Sequence, residues 1–130
     1  MSSDFAHWGT RFRYTYYQPA NGSATTLRSS DRVPSTPPIH ESIKAVDLKC
    51  VEAIEHGSHE EFLGVLKETG NTVCGRHPIG IVMAALEVLG AHGGLDDGKG
   101  RFRFVRYERS SEVMDMKDSS VSYCSGFAVL

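Results

Sequence analysis

Apolar residues recur at helical spacing through the middle of the chain. Residues three or four positions apart line one face of a predicted helix over about 40–56, namely Ile39, Ile43, Val46, Cys50, Ala53 and Ile54. Gly57 ends this helix, and Ser58 with Glu61 forms a capping box for a second helix that Gly70 stops. The pattern therefore predicts a hairpin of two helices.

A third helix is predicted to begin at Pro78, because proline is favoured at the first helical position. Apolar residues cover nearly the whole circumference of 79–89. A helix that is apolar on all sides is typical of a buried position in a layered core. We therefore expect this helix to be buried.

Alternating patterns predict extended segments at both ends of the chain. Residues 11–17 alternate as a half-buried strand or extended arm does, and 101–108 alternates with aromatic residues on one face. Residues 121–130 are apolar on both faces, as in a central strand. The predicted class is α/β or α+β, with a sheet flanked by three helices.

The stretch 18–38 is rich in proline, serine and threonine, which predicts a mobile loop. The length of 130 residues fits a single domain over 1–130. A net charge of −2 argues against broad phosphate neutralisation, so we expect no nucleic-acid partner. No apolar run approaches the roughly 20 residues of a membrane span, and residues 1–5 lack the basic and apolar regions expected of a signal peptide. Three cysteines without framework spacing suit a reducing compartment, so a cytoplasmic location is expected.

Cys74 and His77 form a Cys-x-x-His pair just before the third predicted helix. The free N–H groups and dipole of a helix N-terminus favour an anion such as a thiolate, which can act as a soft metal ligand or a nucleophile. A small buried residue at a tight turn is the alternative for Cys74. For His77 the alternatives are a helix cap or a surface position.

Asp4 and His7 form a second pair with the same spacing, in Asp-x-x-His, followed by Trp8-Gly9. We interpret this segment as a turn in which a carboxylate orients an imidazole, either at a metal or as an acid-base pair. An exposed turn is the alternative interpretation. The two pairs together make Asp4, His7, Cys74 and His77 the candidate metal ligands.

Three arginines are candidates for contacting an anion. Arg76 lies between Cys74 and His77, and Arg11 and Arg13 belong to an Arg-Phe-Arg triplet. Guanidinium groups bind phosphate and carboxylate through paired hydrogen bonds. These residues favour a phosphopeptide or an acidic peptide as an alternative ligand.

Three motifs carry a resemblance to a known family. The N-terminal Ser-Ser-Asp-Phe-Ala-His-Trp-Gly-Thr-Arg-Phe-Arg-Tyr, the segment Asn71–Gly80, and Asp-Ser-Ser-Val-Ser-Tyr over 118–123 resemble the SSDFxHWGxRFRY, NTICGRHPIG and DSSVSY segments of the Memo family, mediators of ErbB2-driven cell motility. The three motifs occur in the same order in this chain and in the Memo family. The resemblance identifies the chain with the C-terminal half of a Memo-like protein.

The resemblance implies a fold similar to that of class III extradiol dioxygenases and a pocket linked to copper or iron. It makes Cys74 a metal ligand in place of a carboxylate, and it places Asp4 and His7 in the same pocket. His7 would be the acid-base candidate and Asp4 its orienting partner. The site is expected to be incomplete without an N-terminal half that supplies histidine ligands.

Three functions remain open from the sequence. The first is a cytoplasmic Memo-like protein with a remnant metal or redox pocket, not catalytic on its own, in signalling or cytoskeletal and motility control. The second is a module that binds a phosphorylated or acidic peptide. The third is a metal-dependent, dioxygenase-like oxidoreductase. We also expect self-association through an exposed sheet edge.

Overall fold

A computed structural model describes residues 1–130 and shows a mixed α/β architecture. The order of the strands and α-helices is β1 (Ser2–Trp8), β2 (Tyr16–Tyr17), β3 (Thr25–Thr26), α1 (Ile39–His56), α2 (His59–Thr69), α3 (Arg76–Ala91), β4 (Phe102–Arg109) and β5 (Ser120–Ala128). The main sheet has the order β1-β5-β4 and is antiparallel throughout, and β2 pairs with β3 separately. None of the helices combines the length and the hydropathy that crossing a membrane requires.

The helical hairpin is confirmed. Gly57 ends α1 in the left-handed conformation, and the Ser58 hydroxyl accepts a hydrogen bond from the backbone N–H of Glu61 at 3.1 Å. Gly70 ends α2 in the same conformation as Gly57. These helix boundaries depend on local capping chemistry, which is why the sequence predicts them closely.

Two hydrophobic clusters form the core, and β1 contributes to both. Phe5 belongs to the larger cluster, with apolar residues of α1, α2, α3, β4 and β5. Ala6 and Trp8 belong to the smaller cluster, with Tyr17 and the first turns of α1. The central position of β5 and the shared face of Phe102 and Phe104 agree with the predicted strands.

The prediction of an extended segment over 11–17 was largely wrong. Residues Thr10–Phe12 form a 3₁₀ turn, and only the last two residues of the predicted strand are in β2. The backbone groups of Gly9 and Tyr14 bond to each other in both directions, which closes the chain into a loop. Gly9 has φ 139°, and a Cβ there would come within 2.8 Å of Ser119 Cβ, so this close approach requires glycine. The stretch 18–38 is irregular apart from β3, as the prediction of a loop requires.

The third helix differs from its prediction in two respects. It begins at Arg76, two residues before Pro78, and the first helical hydrogen bond runs from Ile79 N to Gly75 O. Pro78 is tolerated there because the first N–H groups of a helix have no partner within the helix. The expected full burial is also wrong: Ile81 is 72% exposed and Val88 is 59% exposed. Only one face of α3 packs against the core.

Candidate metal centre

A β-bulge in β1 places Asp4 and His7 on the same face of the sheet. Side chains three positions apart in a regular strand point to opposite faces. In β1, however, Asp4 pairs with Tyr123 and His7 with Val121, so one extra residue lies between the two pairs. As a result, the His7 Nε2 atom lies 3.9 Å from Asp4 Oδ2. The pair therefore lies on a bulged strand and not on the turn that its sequence predicts.

The loop before α3 lies along the outer edge of β1 and brings Cys74 to the same place. The backbone N–H of Cys74 donates to Asp4 O at 3.0 Å, and the N–H of His7 donates to Thr72 Oγ1 at 2.7 Å. The Cys74 Sγ atom lies 3.8 Å from His7 Nε2. Cys74 is therefore docked by backbone bonds to the strand that carries the other two side chains.

Gly75 permits this docking. Its N–H donates to Ser3 Oγ at 2.9 Å. A Cβ on Gly75 would approach that oxygen to 2.6 Å, so a larger residue would push the loop away from β1. Gly75 is also the N-terminal cap of α3, which puts Cys74 two residues before the helix begins.

The tautomer of His7 is set by its other ring nitrogen. Nδ1 lies 3.1 Å from the carbonyl oxygen of Phe5 and 3.3 Å from Thr72 Oγ1. Because a carbonyl oxygen can only accept, we assign the proton to Nδ1, which then donates a hydrogen bond to Phe5 O. The lone pair is then on Nε2, the atom that faces Asp4 and Cys74. This is the usual arrangement of a metal-binding histidine, in which a second group fixes the ring.

The three donor atoms fit a metal ion with small adjustments. A carboxylate oxygen of Asp4, a ring nitrogen of His7 and the sulfur of Cys74 all lie within 4.8 Å of one another. In a tetrahedral site with bonds of about 2.3 Å to sulfur and about 2.0–2.2 Å to nitrogen and oxygen, the ligand atoms lie about 3.4–3.6 Å apart. Small side-chain rotations can bring the donor atoms from their present separations to those of a metal site. Because Cys74 is exposed, the side of the site next to its sulfur is open to solvent. A carboxylate and a thiolate at this separation repel each other unless a cation lies between them.

The other predicted site residues lie outside this group of three. His77 is exposed in the first turn of α3. Arg76 donates from Nη1 to the carbonyl of Val73 at 3.2 Å. The Arg11 guanidinium lies over the ring of Phe12 at 4.9 Å. Arg13 is exposed, with a left-handed backbone at the end of the 3₁₀ turn.

The Asp4 carboxylate does not orient His7 in the way an acid-base pair requires. It approaches Nε2, the same nitrogen that faces Cys74, whereas a backbone carbonyl holds Nδ1. In an acid-base pair the carboxylate would hold the nitrogen remote from the reacting atom. The geometry is thus that of donor atoms converging on one point.

Comparison with known proteins decides the family. The sequence model of the Memo-like protein family matches residues 1–127. The chain belongs to the Memo family. The resemblance carried by the three motifs is therefore confirmed, and it extends over almost the whole chain.

Three relatives show the extent of the similarity. This Memo-family chain is 38% identical over 130 residues to Protein MEMO1 of Xenopus laevis, covering 100% of the chain and 37% of the relative. It is 37% identical over 126 residues to Protein MEMO1 of Homo sapiens, covering 97% of the chain and 36% of the relative. It is 39% identical over 131 residues to a MEMO1 family protein of Schizosaccharomyces pombe, covering 98% of the chain and 40% of the relative. The chain thus spans 36% to 40% of the length of these relatives.

Sequence reasoning missed a buried carboxylate beneath the site of this Memo-family chain. Asp47 on α1 is 0% exposed, and it accepts hydrogen bonds from Ala6 N at 3.2 Å, Asn71 Nδ2 at 2.8 Å and the Tyr107 hydroxyl at 2.9 Å. Burial raises the pKa of Asp47 above its ordinary value, although these bonds act in the opposite direction. Burial, with a smaller contribution from Asp47, raises the pKa of the Cys50 thiol to about 12.

A signal for Asp47 was present in the sequence. It lies within the apolar stripe of α1, directly after Val46 and three residues before Cys50, where a charge is unexpected. A charged residue on a buried helical face is stable only when it is hydrogen-bonded or paired. Its partners come from β1, β4 and the Cys74 loop, which no local pattern could identify.

Proposed function

We propose that this chain binds one transition-metal ion through Asp4, His7 and Cys74, as the metal or redox pocket of a Memo-family protein. The observation that carries the proposal is the convergence of three donor atoms of different chemistry within 4.8 Å. The fixed tautomer of His7 supports it further, because Nε2 is free to coordinate.

The donor set favours copper or iron. A thiolate is a soft ligand that selects copper(I), whereas a carboxylate is a hard ligand and imidazole suits both metals. A bound copper or iron ion would supply one-electron redox chemistry. The residues of the chain would hold and orient that ion, and the exposed side at Cys74 would admit a further ligand.

Binding should release protons. Cys74 must be in the thiolate form to coordinate, and His7 must be neutral at Nε2. Metal affinity is therefore expected to fall as the pH is lowered. The hydrogen bond from Nδ1 to Phe5 O keeps the ring in place during this change.

We propose a binding role without catalysis for this chain taken alone. Three protein donors with an open side can hold a metal, but a catalytic site must also bind and orient a substrate next to that metal. The polar groups beside the donors are already engaged: the Thr72 hydroxyl bonds to the backbone of His7 and Phe5, and the Arg11 guanidinium lies over the Phe12 ring. The wider role would be in signalling or in cytoskeletal and motility control, as membership of the Memo family suggests.

An anaerobic competition titration with copper(I) and iron(II) tests the proposal. We expect one ion per chain, with affinity reduced at least about a hundredfold by Cys74→Ser and by His7→Ala, since each removes one of three ligands. His77→Ala is the matched control, because it removes an imidazole close in sequence but outside the group of three. Equal affinity in the wild-type protein and Cys74→Ser would contradict the proposal.

A further inference from the structure

The two segments that carry the metal-binding side chains meet at one buried carboxylate. Asp47 bonds to β1 through Ala6 and to the Cys74 loop through Asn71. We infer that Asp47 is a positioning residue that fixes the spacing of the donor atoms of Asp4, His7 and Cys74. This inference rests on the proposed metal site.

The first contact of Asp47 holds the bulge of β1. A bulge leaves a backbone N–H without a partner in the ladder. The N–H of Ala6 lies in the stretch where the pairing with β5 shifts, and it donates to Asp47 Oδ1 at 3.2 Å. Ala6 is buried, so bulk solvent does not reach this N–H and the carboxylate is its hydrogen-bond partner. Since the bulge puts Asp4 and His7 on one face, the contact at Ala6 controls their separation.

The second contact holds the loop that leads to Cys74. Asn71 Nδ2 donates to the same Asp47 oxygen at 2.8 Å. The Oδ1 atom of Asn71 is buried and has no hydrogen-bond partner. The Asn71 side-chain amide is therefore oriented so that its NH₂ group bonds to Asp47, although its own carbonyl oxygen is left without a hydrogen bond. The next residue, Thr72, accepts the N–H of His7 at 2.7 Å and so joins the loop to the site.

A carboxylate is suited to this junction because it only accepts hydrogen bonds. Its Oδ1 takes the two donors from Ala6 and Asn71, and its Oδ2 takes the Tyr107 hydroxyl at 2.9 Å. An asparagine at position 47 would replace one of these oxygens with an NH₂ group. That group would face either the Tyr107 hydroxyl or the two N–H donors, so at least one contact would be strained or lost.

The test compares Asp47→Asn with Ser42→Ala. Ser42 is also 0% exposed and also on α1, and its hydroxyl accepts the N–H of Gln18, far from the candidate site. Two quantities are measured on each folded protein. The first is the nuclear Overhauser effect between the His7 ring protons and the Cys74 β-protons, without metal. The second is the affinity for cobalt(II) alone, followed by its thiolate charge-transfer absorption.

We expect Asp47→Asn to reduce the Overhauser effect by more than half and the cobalt(II) affinity at least about tenfold. Ser42→Ala should change neither quantity, even where it lowers the melting temperature. Wild-type values for both quantities in Asp47→Asn would overturn the inference. A wild-type protein that binds no cobalt(II) would count against the metal site alone, because the Overhauser comparison tests the positioning without metal.

Asn71→Ala provides a second variant if Asp47→Asn fails to fold. It keeps the bonds of the carboxylate to Ala6 and Tyr107 but removes the bond between Asp47 and the Cys74 loop. We expect the Overhauser effect between His7 and Cys74 to weaken while those between β1 and β5 remain. An unchanged effect between His7 and Cys74 in this variant would overturn the inference.

Discussion

Helices α1 and α3 differ in a way that their sequences would not suggest. The buried face of α1 includes Ser42 and Asp47, both 0% exposed. The exposed face of α3 includes Ile81 and Val88, at 72% and 59% exposed. A charged residue is thus buried in one helix, while large apolar residues face outward in the other. The comparison teaches that burial depends on what packs against a face, and only in part on its hydrophobicity.

The packing explains the difference. Helix α1 lies between the sheet and α2, so both of its sides have partners, and Asp47 finds three hydrogen-bond donors there. Helix α3 packs on α2 and adds one face to the larger core cluster. Its outer face adjoins an apolar groove of about 430 Å³ that includes Pro78, Val82 and Leu130. Within these 130 residues nothing covers that face.

The largest expected effect contrasts one isoleucine from each helix. Ile54→Ala in α1 should lower the free energy of unfolding by about 2–5 kcal/mol, because Ile54 is fully buried and its loss leaves a cavity. Ile81→Ala in α3 should change it by less than about 0.5 kcal/mol, because this side chain is already in solvent. Urea unfolding measures both. Equal losses would show that the outer face of α3 is covered in solution.

The next effect concerns the charge on the buried face of α1. Burial raises the pKa of Asp47 in the folded chain above the 3.8 of an ordinary aspartate. Between these two values the folded chain binds more protons than the unfolded chain. The stabilisation from protonated Asp47 is therefore fully present below about 3.8 and is lost as the pH rises through the folded pKa.

Asp47→Asn cannot titrate, so it isolates this contribution. The free energy of unfolding of the wild-type protein, relative to that of the variant, should fall by up to about 1.4 kcal/mol per pH unit across the window. Urea unfolding of both proteins over a range of pH provides the measurement, with Ser42→Ala as the control that should give a pH-independent difference. A relative stability that rises with pH would contradict the raised pKa.

The smallest effect concerns the outer face of α3. If this face drives self-association, Ile81→Glu should weaken it about fivefold, or about 1 kcal/mol, because a charge must then be desolvated. Leu63→Glu is the matched control, since Leu63 is an exposed leucine on α2. Sedimentation equilibrium measures the association. If Val105→Glu alone weakened self-association, the contact between copies would instead lie at the edge strand β4, as the sequence-based expectation of association through a sheet edge requires.

Much of the fold could be predicted from short segments. The ends of α1 and α2 depend on Gly57, Ser58 and Gly70, which act within one helical turn. The segment 11–17 was mispredicted because the backbone bonds between Gly9 and Tyr14, which close a loop around the 3₁₀ turn, override its alternation. The apolar residues all around α3 predicted a buried helix, and this was wrong. The pattern shows that a helix face is apolar, but it does not show whether another element packs against that face.

The candidate site was predicted in part. Both halves were found by their spacing, Asp4 with His7 and Cys74 with His77, but the structure brings Cys74 to His7 and leaves His77 outside the group. The bulge that makes this possible has no clear signature in Asp-Phe-Ala-His. Asp47 was missed because its partners come from three separate elements.

The sequence by itself determined the family, the three helices, the two strands of the C-terminal part and the residue types able to bind a metal. Only the tertiary structure decided which of those residues meet and which apolar faces are covered. Helix caps and amphipathic patterns act over a few residues, so the local chain encodes them. The contact between Cys74 and His7 joins positions 67 residues apart, and it requires a bulge, a docked loop and a buried carboxylate at once.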